Sequence, residues 1–193
     1  MNQVSQYLHD TAEVIRNLPV AQIERIAALL WQACQEGRQI FVVGNGGSAL
    51  TASHLACDLG KGTATPGRRR FKVLALTDNI GLITAYANDL SYEDIFVEQL
   101  INFFQPGDVV LGISGSGNSE NVLRALRYAR ERGGITIGFT GFSGGKMKDI
   151  AEECLIVPKH DMQMVEDAHY VLMHLLMQLF RRKMQQEGDS STS

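Results

Sequence analysis

The sequence predicts an α/β fold built on a mainly parallel sheet, and three observations carry that reading. Five short apolar runs alternate with helical stretches along 193 residues. That is the pattern of strands buried on both faces and joined by right-handed helical crossovers. Two of the runs lead directly into glycine- and serine-rich turns, Gly44-Asn45-Gly46-Gly47-Ser48 and Ser114-Gly115-Ser116-Gly117-Asn118-Ser119, and each turn opens a helix. Hydrophobic residues make up 45% and charged residues 20% of the chain, enough for one domain with a substantial core.

Taken in order, residues 3–18 place Val4, Leu8, Ala12, Val14, Ile15 and Leu18 at helical spacing, and Pro19 interrupts them. Residues 20–36 continue with Ile23, Ile26, Ala27, Leu29, Leu30 and Ala33, and Gly37 suits the position just past the helix end. Two apolar helices before the first strand exceed what one sheet face needs, which points to packing against another subunit. The first strand covers 39–43, followed by a helix over 49–59 and a loop over 60–70. The second strand covers 72–76, with helices over 79–87 and 92–104 and punctuation at Pro106-Gly107. The third strand (109–113) leads to a helix over 120–132, and the fourth (135–139) to a short helix from Gly144-Gly145 through 150. The fifth strand (154–157) precedes a last helix over 162–185. Residues 1–186 read as a single domain, and the polar tail 187–193 is expected to be disordered.

The composition also excludes function classes. A formal net charge of -3 argues against nucleic acid as the main partner. The basic run Arg68-Arg69-Arg70 is local and reads as a solvated loop or a steering patch for an anionic substrate. Cys34, Cys57 and Cys154 form no CxxC pair and read as reduced thiols. No apolar run approaches a membrane span, and the N-terminal residues do not read as a signal peptide. The expected location is the cytoplasm, with no membrane partner.

In parallel sheets ligands bind at the carboxyl ends of the strands, where both glycine-rich turns fall. The second turn combines two glycines, three serines and a helix N-terminus. Glycines admit close backbone approach, and the helix end favours an anion. The hydroxyls of Ser114, Ser116 and Ser119 can donate to phosphate oxygens. A polar turn with Ser119 as a helix cap is the plainer alternative. The first turn, with Ala49 after it, formally matches the dinucleotide fingerprint G-x-G-x-x-G/A. The acidic residue that fingerprint needs about twenty positions on is missing from the end of the next strand. Asp78 follows that strand but lies farther away. A P-loop is set aside, because Gly145-Lys146 is followed by Met147. Ser48 also suits a helix cap.

Ionisable residues add a second set. His54 and Asp58 lie on one face of a helix, a spacing that serves a metal pair, an orienting hydrogen bond or an ordinary surface pair. In the last helix Glu166, Asp167, His169 and His174 interrupt an apolar stretch. Glu166 and His174 share a helical sector, whereas His169 points elsewhere. An imidazole and carboxylates near a sugar phosphate are the parts needed to move a proton between adjacent carbons.

These motifs together resemble the sugar isomerase (SIS) domain family, in its phosphoheptose isomerase branch. The resemblance is carried by Gly44 to Ser48, Gly112 to Ser119, Thr140-Gly141 and Gly144-Gly145-Lys146-Met147, and runs to about Leu179. It implies a three-layer αβα fold around a five-stranded parallel sheet, with additional N- and C-terminal helices. It implies a homotetramer with active sites shared between subunits. It also implies a phosphate held by Ser48, Ser114, Ser116 and Ser119 with Gly46, Gly47 and Gly115, and sugar-hydroxyl contacts from Asn45 and Asp89. The implied reaction is aldose–ketose isomerisation of sedoheptulose 7-phosphate through an enediol. The implied cofactor is zinc, held by residues matching His54, Asp58, Glu166 and His174.

Two of those four differ from the family pattern. Asp58 stands where the family has the glutamate it uses as general base, and Glu166 where it has glutamine. Asp58 or Glu166 would then be the base, with His174 as its acid/base partner. The alternative reading is a non-catalytic module of the same fold that binds a sugar phosphate or a protein.

Overall fold

The computed structural model describes residues 2–189, with side chains through Gln186. Its five strands form one wholly parallel sheet in the order β2-β1-β3-β4-β5. They are β1 (Gln39–Gly44), β2 (Lys72–Ala75), β3 (Val109–Ser114), β4 (Ile135–Gly141) and β5 (Glu153–Val157). The helices are α1 (Gln3–Arg16), α2 (Val20–Glu36), α3 (Gly47–Cys57), α4 (Ile80–Asp89), α5 (Val97–Phe103), α6 (Glu120–Glu131), α7 (Met147–Ile150) and α8 (Met162–Asp189). This is the three-layer αβα arrangement expected.

Alternation along the strands builds two cores. Ile40, Val42, Val109, Leu111, Ile113, Ile137 and Phe139 pack with Ile26 and Leu30 of α2, Leu55 of α3, and Leu172 and Phe180 of α8. Phe41, Val43 and Val110 face the other way, onto Leu100 of α5 and Leu123 and Leu126 of α6. Side chains of successive strand residues point to opposite faces, so a sheet covered on both sides needs apolar residues at every position. None of the three cysteines is in a disulfide among the described residues, and burial pushes the Cys154 thiol up to about 12.

The strand order places the site. From β1 the chain crosses to β2 on one side, then returns past β1 to β3 on the other. Such a reversal opens a crevice above the carboxyl ends of the two central strands. The pairing Val43↔Gly112 and Gly44↔Ile113 sets the two glycine-rich turns side by side there.

Several boundaries differ from expectation. α3 starts at Gly47, because Gly46 (φ +54°) makes the turn. Gly46 holds the cap position, and Ser48 is buried inside the first turn rather than capping it. After Cys57 the helix widens into a π-helical turn, Asp58–Gly62. The stretch 92–104 is not one helix: a 3₁₀ turn, Tyr92–Asp94, is separated from α5 by Ile95 and Phe96, each 1% exposed. α7 starts only at Met147, since Gly144 (φ +89°) and Gly145 (φ +53°) adopt left-handed turn conformations. α8 runs on to Asp189, so the first three residues of the expected tail, Glu187–Asp189, continue the helix although Gly188 and Asp189 are poor helix formers. Residues 190–193 lie outside the described residues.

Candidate active site

A cleft of about 290 Å³ opens above β1 and β3, lined by Asn45, Gly46, Gly47, Ser48, Ser114, Gly115, Ser116 and Ser119, with Met162 and Glu166 from α8. The residues expected from both turns are therefore brought together. Ser114 Oγ and Ser119 Oγ lie 3.1 Å apart and share a hydrogen bond. Ser119 does occupy the N-cap position of α6, yet its side chain makes no capping bond. Its hydroxyl is turned to Ser114 instead, which leaves the helix end to serve a ligand.

The second turn is anchored from below. Met147 N–H donates to Gly117 O (3.0 Å) and Lys146 N–H to Asn118 Oδ1 (3.1 Å). Gly117 (φ +66°) has no room for a side chain: a Cβ there would lie 2.2 Å from Gly144 O.

α8 closes the cleft by resting on one glycine from each turn. A Cβ on Gly115 would fall 2.3 Å from Met162 Sδ, and one on Gly47 would fall 2.9 Å from each Glu166 carboxylate oxygen. Met162 and Glu166 are one turn apart and share a helix face. The Glu166 carboxylate thus sits in the cleft. Among the described residues, no lysine or arginine lines it.

The remaining expected ligands form a separate cluster. His54 Nε2 lies 3.6 Å from Asp58 Oδ1, and His174 Nε2 lies 3.8 Å from Asp58 Oδ2. The imidazole centroids are 5.1 Å apart. The side chains of His54 and His174 are 42% and 51% exposed, while that of Asp58 is 18% exposed. Asp58 opens the π-helical turn; such turns recur at functional sites because they re-aim side chains within a helix. Asp58 Oδ2 is buried with no hydrogen-bond partner, an arrangement that favours a cation nearby.

One ligand atom from each of His54, Asp58 and His174 lies within 4.8 Å of the others. Ligand atoms on a tetrahedral zinc stand about 3.3 Å apart, given zinc–nitrogen and zinc–oxygen bonds near 2.0–2.1 Å. The cluster therefore fits zinc with three protein ligands and one open position, the pattern of catalytic sites. Glu166 is not a member of this cluster; the expected four ligands divide into three at the cluster and one in the cleft. Of the two α8 histidines, His169 is the core residue, 1% exposed on Phe139, with burial pushing its pKa down to about 4.

Asp89 is not among the residues lining the cleft. It ends α4, exposed, and accepts a hydrogen bond from Asn88 Nδ2 (2.7 Å). Met162, Asn121 and Tyr92 are not foreseeable from the sequence. The last two hydrogen-bond to Asn45 from α6 and from the 3₁₀ turn. Neither belongs to a motif, and only the folded chain brings them near.

Comparison with known proteins agrees with this architecture. Residues 6–141 match the SIS domain family. Phosphoheptose isomerase from Aquifex aeolicus is 38% identical over 182 residues, covering 93% of this chain and 95% of that protein. Phosphoheptose isomerase from Akkermansia muciniphila is 38% identical over 161 residues, covering 83% and 85%. The structure of phosphoheptose isomerase GmhA from Neisseria gonorrhoeae aligns with a TM-score of 0.85 at 28% identity, covering 92% of this chain and 96% of that one. A phosphoheptose isomerase structure from Francisella tularensis aligns with a TM-score of 0.86 at 26% identity, covering 93% and 97%. With a parallel sheet, a serine-lined cleft at its switch point and these relatives along nearly its whole length, the chain belongs to the SIS domain family, among the phosphoheptose isomerases.

Proposed function

We propose that the chain is a sugar-phosphate isomerase that interconverts sedoheptulose 7-phosphate and D-glycero-D-manno-heptose 7-phosphate through an enediol, with zinc assistance. The observation that carries this reading is the pairing of two helices. α3 bears Ser48 in its first turn and His54 and Asp58 at its end, while α8 bears Glu166 and His174. Eight residues advance a helix by about 12 Å. A seven-carbon sugar holds its reacting carbons roughly 8 Å from the phosphate end, by carbon–carbon bonds of about 1.5 Å. A phosphate on the serines thus suits a substrate whose C1 and C2 lie near Glu166 and the His54–Asp58–His174 cluster.

Ser48, Ser114, Ser116 and Ser119 would bind the phosphate through hydroxyl donors and the α6 N-terminus. Zinc, when bound by His54, Asp58 and His174, would supply Lewis-acid polarisation of substrate oxygens. The geometry favours a division between the two unusual carboxylates. Asp58 is turned onto both imidazoles, whereas no hydrogen-bond donor is paired with Glu166 among the described residues. We assign Asp58 to the metal and Glu166 to the base: it takes a proton from C1 and returns it to C2, while the C1 hydroxyl proton passes to O2. His174 presents Nε2 to Asp58, which favours the ligand role over the proton-carrier role.

The exposed apolar residues support self-association. None of the 14 residues of α1 is buried, and Val4 and Leu8 are 69% and 65% exposed. A homotetramer, with active sites completed between subunits, accounts for that face and for Asp89 lying off the cleft. No helix among the described residues is long and apolar enough to cross a membrane, and we place the protein in the cytoplasm.

The test is incubation of the protein with added zinc and sedoheptulose 7-phosphate, following aldose formation, bound zinc and, by light scattering, the mass of four chains. Absence of turnover by an intact tetramer, with no zinc bound, would identify a non-catalytic member of the family instead.

A further inference from the structure

Asn45 lines the cleft, yet its amide is held from outside it. Its Nδ2 donates to Asn121 Oδ1 (2.8 Å), and its Oδ1 accepts from Asn121 Nδ2 (3.0 Å) and from the Tyr92 hydroxyl (2.9 Å). The orientation of this amide pair is dictated by the backbone. Val122 N–H donates to Asn121 Oδ1 (2.9 Å), so that end of the 2%-exposed Asn121 side chain must be the oxygen. Asn45 must therefore turn its N–H toward that oxygen, and Tyr92 must donate to the Asn45 oxygen. An amide oxygen has two lone pairs and an amide nitrogen two protons. Both lone pairs of Asn45 Oδ1 are engaged, and one proton of Nδ2 is left.

The same helix holds Tyr92 in place. Arg124, one turn after Asn121, pairs with Asp94 in the 3₁₀ turn that carries Tyr92, and Ser91 Oγ donates to Asp94 Oδ2 (2.7 Å). The Ser91 hydrogen bond and the Arg124 guanidinium hold the Asp94 carboxyl below the usual carboxylate range. Tyr92 itself is 54% exposed, so burial does not set its position.

We propose that Asn121 and Tyr92 are positioning residues that lock the Asn45 amide, so that it offers the ligand one N–H donor and no acceptor. Asn45 then recognises an acceptor oxygen of the bound sugar and discriminates against a group that can only donate. The sugar as ligand rests on the function proposed above; the lock does not. Asn121 is not needed to shape the second turn, which is anchored separately by the Met147, Lys146 and Gly141 backbone N–H groups.

Two measurements test this on the full chain. In the protein without ligand, side-chain amide NMR of Asn45 should show one proton exchanging slowly with water. Asn121→Ala should speed that exchange by about tenfold or more, as a lost buried hydrogen bond would. In turnover of sedoheptulose 7-phosphate, Asn121→Ala should raise KM about tenfold with kcat changed far less, and leave the affinity for inorganic phosphate within about twofold. Asn45→Ala should give the same loss, and the double variant should be no worse than Asn45→Ala alone. Tyr92→Phe, at an exposed position safe for folding, should shift KM in the same direction by a smaller factor. Fast exchange of both Asn45 protons in the unaltered protein overturns the proposal. So do additive losses in the double variant, or a loss of phosphate affinity equal to the loss of sugar affinity. A slow Asn45 proton in a protein that does not turn over the sugar phosphate upholds the lock and overturns the substrate assignment.

Discussion

Asp58 and His174 meet across two helices that are distant in the chain, with Oδ2 and Nε2 3.8 Å apart and the oxygen buried without another partner. If this contact is half of a zinc site, Asp58→Ala and His174→Ala should each reduce bound zinc from near one per chain to about a tenth or less, since three ligands cannot be cut to two without losing affinity. Metal analysis of the purified variants is the check. Chelator treatment of the unaltered protein should lower activity, and added zinc should restore it. Full zinc occupancy in both variants would move the site elsewhere.

The Ser114–Ser119 pair predicts a binding defect rather than a chemical one. Under the proposed phosphate site, each of Ser114→Ala and Ser119→Ala would remove one donor worth about 1–1.5 kcal/mol, or about tenfold. KM should rise by that factor with kcat little changed, because the phosphate is held alike before and during the reaction. Steady-state kinetics decide it: a fall in kcat alone would mean that the serines act at the reacting carbons.

Glu166 should have two opposite effects when made neutral. The base role proposed for Glu166 predicts that Glu166→Gln lowers kcat by about 10²-fold or more. As a carboxylate in a cleft without lysine or arginine it repels phosphate. The same variant should therefore bind inorganic phosphate about fivefold more tightly, on the order of 1 kcal/mol for a screened like-charge contact. Calorimetry with phosphate separates the two effects, and weaker phosphate binding would show that Glu166 faces away from the anion.

His169 makes stability depend on pH. Its ring is buried, Nδ1 has no partner, and its pKa is pushed down to about 4 from an ordinary 6.5. Below 6.5 the unfolded chain takes up a proton that the folded chain refuses until about 4. Its contribution is therefore complete above pH 6.5, declines as pH falls toward 4, and is flat below; the total is about 3 kcal/mol. Urea denaturation from pH 7 to 4 should show this decline, and His169→Gln should flatten it. An unchanged slope in the variant would assign the decline to other groups.

Gly117→Ala should be among the most damaging substitutions of small size. The new methyl group would meet Gly144 O at 2.2 Å while φ stays positive. A loss of about 2–4 kcal/mol is expected from the combined strain. Thermal unfolding would reveal it, and a change below about 0.5 kcal/mol would show that the turn relaxes freely.

A parallel sheet, the succession of strands and helices along the chain, and the two turns that form the cleft are all legible in the sequence, but the order of strands across the sheet is not. The legible features are local: apolar runs mark buried strands, and glycines with serines mark turns that a helix follows. The sequence also nominated His54, Asp58, Glu166 and His174, but not their grouping. Packing between remote elements brings Asp58 to the two histidines and leaves Glu166 over Gly47 in the cleft. That outcome depends on a π-helical turn at Asp58 and on how α8 crosses the two glycine-rich turns. It likewise decided that Ser119 holds a cap position without capping, and that Asn121 and Tyr92 reach Asn45. Side-chain direction over such distances is set by packing between elements remote in sequence, which neither periodicity nor motif spacing encodes.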